Sequence, residues 1–314
     1  MRVKESIPGS RRCGWHLRLW IITVLVAAVS ACATAPPADR PAVLIDPTST
    51  SPEPDAATPT PPPIPTFTLT ASPTITPGPV CSETTGELEH LQLDDTPLAP
   101  EPLRFIVYTP PCYQAETDRY YPVLYLIHGQ LSTEEQWVHL GVPARMDALT
   151  AAGEIPPFLV VMPFDKSSAL PDNDPFGLAV INDLIPWIDA HYRTLAIRPY
   201  RAIGGLSRGA GWAVHLGLEY WELFGAIGGH SLAVQYGDEA RVSGWLDAIP
   251  AGSYPRIYLD IGASDGLFSS AAQIEQLLDA RGIPHEWHPF QGYHNEAYWS
   301  SHVDDYLRWY GEGW

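Results

Sequence analysis

Basic residues are scarce in this chain. Lys and Arg number 18 against 36 Asp and Glu over 314 residues. Five of the basic residues (Arg2, Lys4, Arg11, Arg12, Arg18) and one acid, Glu5, precede position 32, so 13 and 35 remain beyond it, a net charge of about −22. Lys166 is the only lysine in that remainder. So acidic a surface excludes nucleic acid and anionic lipid as partners held by charge, and it suits a soluble exported protein. Long apolar runs are also missing: the best, Leu19 to Ala31, is too short to span a bilayer comfortably. Cysteine is rare, with four in all and no C-x-x-C pair, which argues against a zinc site.

What is present at the N-terminus is a targeting pattern: basic residues, then the apolar run, then Val29-Ser30-Ala31-Cys32. That tetrapeptide resembles the bacterial lipobox, in which the cysteine is lipidated and becomes the mature N-terminus. Residues 1–31 are therefore expected to be a lipoprotein-type signal peptide, with Cys32 the lipid attachment site and the only point of membrane contact. From Cys32 to Pro79 the composition is dominated by Pro, Thr, Ser and Ala. Such a stretch cannot bury enough apolar surface to offset its ordering entropy and is expected to be a disordered linker, a stalk. Residues 80–314 have the length of a single α/β domain. Within it Cys81 and Cys112 are the only cysteines, and in an oxidising compartment they are expected to form a disulfide.

Beyond Cys81, short runs rich in β-branched and aromatic residues read as strands: Leu103 to Thr109, Val123 to Ile127, Phe158 to Met162, Arg201 to Ile203, Phe224 to Ile227, Arg256 to Ile261 and Glu286 to Phe290. Between them apolar residues fall at helical spacing, as in Leu178, Ile181, Ile185 and Ile188, where Pro186 should kink or shorten the helix. Alternating strand and helix implies right-handed crossovers and a mostly parallel sheet with helices on both faces.

In such a sheet ligands bind beyond the carboxyl ends of the strands, so reactive residues just past each strand are the candidates. Four positions qualify. Gly205-Leu206-Ser207-Arg208-Gly209 reads as a nucleophile elbow, a strand bent sharply into a helix, where a Cβ on either flanking glycine would collide with backbone. His294, in the loop after the last strand, is the candidate base that takes the Ser207 proton; His285, His288 and His302 compete with it. Asp265 is favoured over Asp260 as the acid that orients this imidazole, because Asp260 lies inside a strand and suits a structural role, hydrogen-bonded to loop amides. The backbone N–H groups of Arg208 and of Gln130, with Leu131 as second choice, would form the oxyanion hole. His128-Gly129 leads into that loop, and His128, Arg208 and Leu131 are candidate substrate contacts. The order Ser, Asp, His is that of an α/β-hydrolase.

Over Leu103 to Tyr310 the chain resembles the Putative esterase family of α/β-hydrolases, which includes S-formylglutathione hydrolases, feruloyl and acetyl xylan esterases, enterochelin esterases and mycolyltransferases. The resemblance rests on Tyr121 to Gly129, Gly204 to Gly209, Leu223 to Ala226, Leu259 to Asp265 and Gly292 to Trp299. It implies the triad Ser207, Asp265 and His294, with no metal and no cofactor. Arg208 departs from the family, which often has methionine there; its guanidinium could attract an anionic substrate or pair with Asp172 or Asp174. The implied function is hydrolysis of a carboxylic ester through an acyl-serine, the substrate a small-molecule or carbohydrate ester such as a feruloyl or acetyl ester. Acyl transfer to a sugar or lipid alcohol would use the same residues, and a non-catalytic binding protein on a stalk is the alternative from a different class.

Overall fold

The computed structural model describes residues 81–94, 96, 102–167, 169–235 and 237–314. The expected signal peptide, the expected lipidation site Cys32 and the expected linker to Pro79 lie outside these residues. No helix of the described residues is long and apolar enough to cross a membrane.

Among the described residues eight strands form one sheet: β1 (Glu87–Leu93), β2 (Leu103–Thr109), β3 (Val123–Ile127), β4 (Leu159–Pro163), β5 (Arg201–Leu206), β6 (Ala226–His230), β7 (Arg256–Gly262) and β8 (Glu286–Phe290). Their spatial order is β1-β2-β4-β3-β5-β6-β7-β8. β1 and β2, and β2 and β4, run antiparallel; every other neighbouring pair is parallel. The helices are α1 (Gln136–His139), α2 (Val142–Ala151), α3 (Phe176–Ala179), α4 (Ile185–His191), α5 (Arg208–Glu219), α6 (Asp238–Ala248), α7 (Phe268–Ala280) and α8 (Glu296–Glu312).

Successive residues of a strand face opposite sides of a sheet, and here both sides are buried, which is why the central strands are continuous apolar runs. Phe105, Val107, Val123, Tyr125 and Ile127 join a core built with α3 to α7. Ile106, Tyr108, Leu124 and Leu126 join a second core built with α1, α2 and α8. The α/β-hydrolase arrangement expected from the sequence is thus present.

Several elements differ from expectation. β5 and β6 run on through Gly204-Gly205 and Gly228-Gly229, which pair across the ladder, and Gly204 and Gly228 are glycine because a Cβ on either would overlap the Tyr310 hydroxyl. The segment around Pro186 is α3, a π-helical turn (Val180–Leu184) and then α4, with Pro186 directly after the π-helical turn. β1, an edge strand of alternating exposure, was not expected from its charged composition. Cys81 and Cys112 are joined by a disulfide across 31 residues, just before β1 and just after β2.

Candidate active site

The strand β5 turns into α5 at Ser207, whose backbone has φ 55° and ψ −121°. A side chain at positive φ is strained, and the geometry is held from both sides: Ser207 N–H donates to the His230 carbonyl at 2.8 Å, while the Ser207 carbonyl accepts from Ala233 and Gly211, each at 3.2 Å. Gly205 packs against the Gly209 backbone, and Gly209 against the Ile127 and His128 carbonyls, so closely that a Cβ on either would overlap main chain. The elbow therefore requires both glycines.

The loop after β8 brings His294 to this serine. Ser207 Oγ–H donates to His294 Nε2 at 2.8 Å, and His294 Nδ1–H donates to Asp265 Oδ2 at 2.8 Å. Asp265 is buried, and its other oxygen accepts the Leu267 N–H at 2.8 Å, which holds the carboxylate in place. The two loops are tied to each other by Ser264 N–H donating to the Gly292 carbonyl at 2.9 Å. Gly262 is required there, since a Cβ would run into the Gly292 backbone. None of the competing histidines reaches Ser207: His285 Nδ1 bonds the Ile283 carbonyl, His288 pairs with Glu286 and His302 with Asp305.

The loop after β3 lies against the serine, a Cβ on Gly129 falling 3.5 Å from Ser207 Cβ. Gly129 N–H donates to Gln136 Oε1 at 2.8 Å, and Trp137 Nε1–H to the Ile127 carbonyl at 3.1 Å, fixing this loop from α1. Among the described residues the N–H groups of Gln130 and Arg208 have no protein acceptor, so both are available to a negative oxygen. Leu131 follows with φ 63° and is 93% exposed.

Two expected substrate contacts are otherwise engaged. His128 is buried, its Nε2 accepting the Asp165 N–H at 2.9 Å and its Nδ1–H donating to the Gly129 carbonyl at 2.7 Å. Burial pushes its pKa below the usual histidine value. The Arg208 guanidinium is buried too: Nε donates to Asp165 Oδ2 at 2.9 Å, and Nη2 to Asp174 Oδ2 at 3.1 Å and to the Ala169 carbonyl at 2.8 Å. Of the two acids expected for it, Asp174 is a partner and Asp172 pairs instead with Arg241. His128 has no donor left for a substrate, and the Arg208 Nε and Nη2 groups are fully committed; both side chains bind the loop after β4.

Asp260 is also placed differently. It is fully buried but bonds no loop amides; Oδ1 accepts from His230 Nδ1–H at 2.6 Å, and Oδ2 from Tyr298 Oη at 2.7 Å and Tyr306 Oη at 2.9 Å. Asp165 and His230 were not singled out in the sequence, although both fall at the carboxyl end of a strand, β4 and β6, where the rule that found the other four would have pointed.

A parallel-centred sheet carrying Ser, His and Asp on its carboxyl-end loops defines an α/β-hydrolase with a serine-hydrolase site. The chain belongs to the Putative esterase family, whose sequence profile matches residues 98–310. It is 36% identical over 116 residues to an endo-1,4-beta-xylanase/feruloyl esterase of Xylanibacter ruminicola, covering 34% of this chain and 16% of that protein. It is 30% identical over 229 residues to an esterase of Mycobacterium tuberculosis, covering 56% and 49%. The chain thus spans half or less of the length of these relatives. Among solved structures, a ferulic acid esterase superimposes with a TM-score of 0.66 at 22% identity, covering 73% of this chain and 100% of that one. The feruloyl esterase module of Clostridium thermocellum, complexed with sinapinate, superimposes at 0.63 and 18%, covering 74% and 89%.

Proposed function

We propose that this chain is an exported serine carboxylesterase that works through an acyl-serine intermediate. The observation that carries the reading is the unbroken hydrogen-bond chain from Asp265 through His294 to Ser207. In the reaction His294 Nε2 takes the Ser207 proton as Oγ bonds to the ester carbonyl carbon, and the carbonyl oxygen, now negative, is held by the Arg208 and Gln130 N–H groups. The imidazolium then gives its proton to the departing alcohol as the C–O bond breaks. Water repeats the sequence to release the acid and restore the serine. Asp265 keeps the imidazole in the tautomer that leaves Nε2 free to accept and stabilises the cation formed at each step.

For the substrate we propose an acyl ester of a carbohydrate, with a hydroxycinnamoyl or acetyl acyl group. Support comes from the feruloyl esterases among the similar proteins and from three exposed apolar side chains, Leu131, Leu170 and Tyr293, on the loops after β3, β4 and β8. Export and lipid attachment at Cys32 are part of the same reading and rest on the N-terminal sequence. The test is a panel of acetyl, longer acyl and feruloyl esters, assayed for Ser207→Ala and the parent, with and without an alcohol acceptor. Turnover by folded Ser207→Ala at the parent rate overturns the mechanism; product appearing only as a new ester would make the protein an acyltransferase.

A further inference from the structure

Beneath the candidate triad lies a second, fully buried polar cluster that the proposed reaction does not use. Its centre is the His230–Asp260 pair, inaccessible to solvent. Its hydrogen-bond directions are set by chemistry. Asp260 receives three donors, two of them phenols whose pKa values are pushed up, first by burial and then by Asp260 itself, so Tyr298 and Tyr306 remain donors throughout the working pH range. With His230 Nδ1 donating to Asp260, Nε2 is left to accept the Tyr310 hydroxyl at 3.1 Å. Asp260 thus accepts three hydrogen bonds at the centre of the cluster.

The same two residues reach both halves of the active site through their main chain and their neighbours. The His230 carbonyl accepts the Ser207 N–H, and so sets the strained elbow. Tyr298 and Tyr306 belong to α8, whose first residues follow His294 directly, with Asn295 as N-cap accepting the Tyr298 N–H at 3.0 Å. The next residue, Trp299, donates from Nε1 to Ser231 Oγ at 3.0 Å and sets its ring edge-on to the His294 imidazole at 5.0 Å. Ser231 N–H, in turn, donates to the Asp260 carbonyl at 2.8 Å.

Building on the triad proposed above, we infer that Asp260, with Tyr298, is a positioning element for catalysis: this buried anion docks the start of α8 and thereby fixes the distance between His294 and Ser207. A general base must sit within hydrogen-bond reach of the proton it removes, and a displacement near 1 Å can cost on the order of a hundredfold in rate.

The experiment measures covalent labelling of Ser207 by a fluorophosphonate probe, which needs the activated serine but no particular ester, together with kcat and KM for a short aryl ester and the thermal midpoint. Tyr298→Phe removes one donor and keeps the ring. It should slow labelling and lower kcat by about tenfold or more, with KM within about twofold, at a temperature well below its midpoint. Tyr306→Phe removes a donor to the same oxygen two turns further from His294, and should cost similar stability but much less rate. Folded Tyr298→Phe that labels as fast as the parent overturns the inference, as does an equal rate loss in both variants. Should Tyr298→Phe fail to fold, Asp260→Asn, which keeps the shape of the side chain and weakens its hold on Tyr298, takes its place, and unchanged labelling there counts equally against it. If the parent protein itself is not labelled at Ser207, the acyl-serine reading fails, and this inference fails with it.

Discussion

Arg208 donates from Nε to Asp165 Oδ2 at 2.9 Å, so the residue proposed to supply an oxyanion N–H from its main chain uses its side chain to tie the loop after β4 to the nucleophile elbow. Trp212 Nε1–H donates to the same carboxylate oxygen at 2.9 Å, one turn further along α5, and His128 accepts that residue's backbone N–H. Three of the loops that surround the serine are thereby held on one aspartate. An arginine where methionine is common in the family is understandable on this basis: the charge serves two buried carboxylates, not a ligand.

Arg208→Met should accordingly be destabilising, because it leaves Asp165 and Asp174 without their cation. A buried pair broken from one side costs about 3–5 kcal/mol. Replacing one of the stranded acids in the same protein, as in Arg208→Met/Asp174→Asn, should recover at least about 1 kcal/mol. Urea unfolding of the parent and both variants measures this, and a double variant no more stable than the single would show that the guanidinium does not hold Asp174.

His128 predicts an acid limb in stability. Burial pushes its folded pKa below the ordinary histidine value of 6.5, so below that pH the unfolded chain binds a proton that the folded one refuses. The His128 contribution is thus fully present above about pH 6.5 and is lost as pH falls toward the folded value. His128→Gln, which can still accept the Asp165 N–H, should lose less stability than the parent between about pH 7.5 and 5.5. Equal losses in parallel denaturant titrations would assign the acid sensitivity to other groups.

Gly209→Ala should remove activity and stability together, since its Cβ would overlap the Ile127 and His128 carbonyls, which belong to β3 and its loop rather than to any movable side chain. Overpacking of this kind typically costs about 1–3 kcal/mol. Ester turnover and thermal unfolding report the two effects, and a variant with parent-like values for both would contradict the close approach.

Reduction of the Cys81–Cys112 bridge releases a loop of 31 residues, and the chain-entropy account of such a crosslink assigns it about 3–4 kcal/mol. The bond lies far along the chain from Ser207, Asp265 and His294. Guanidinium unfolding with and without reductant should therefore show a lower midpoint, while initial ester turnover in the absence of denaturant stays within about twofold.

The sheet was legible where strands announce themselves by composition: Leu103 to Thr109, Val123 to Ile127 and Glu286 to Phe290 occupy their expected bounds. It was less so where glycine interrupts the apolar run. Gly204 and Gly228 look like strand ends because nothing in the local sequence reveals the Tyr310 hydroxyl, which lies about eighty residues or more further along the chain and takes the space of their side chains. β1 was missed for a related reason, its pairing with β2 being visible only as exposed, alternating residues on an edge.

What the sequence determined by itself was the set of reactive groups and their order: a serine between obligate glycines, an acid past β7 and a histidine past β8 are local features, each set by a strand end and the turn chemistry that follows it. What only the tertiary structure decided was the partner of every buried charge. Whether Arg208 faces a ligand or Asp165, whether His128 lines a pocket or holds a loop, and whether Asp260 bonds amides or tyrosines depend on contacts between segments some thirty to forty-six residues apart. Such choices are made by the packing of both sheet faces, since a desolvated charge takes whichever donor or acceptor the packed core brings to it.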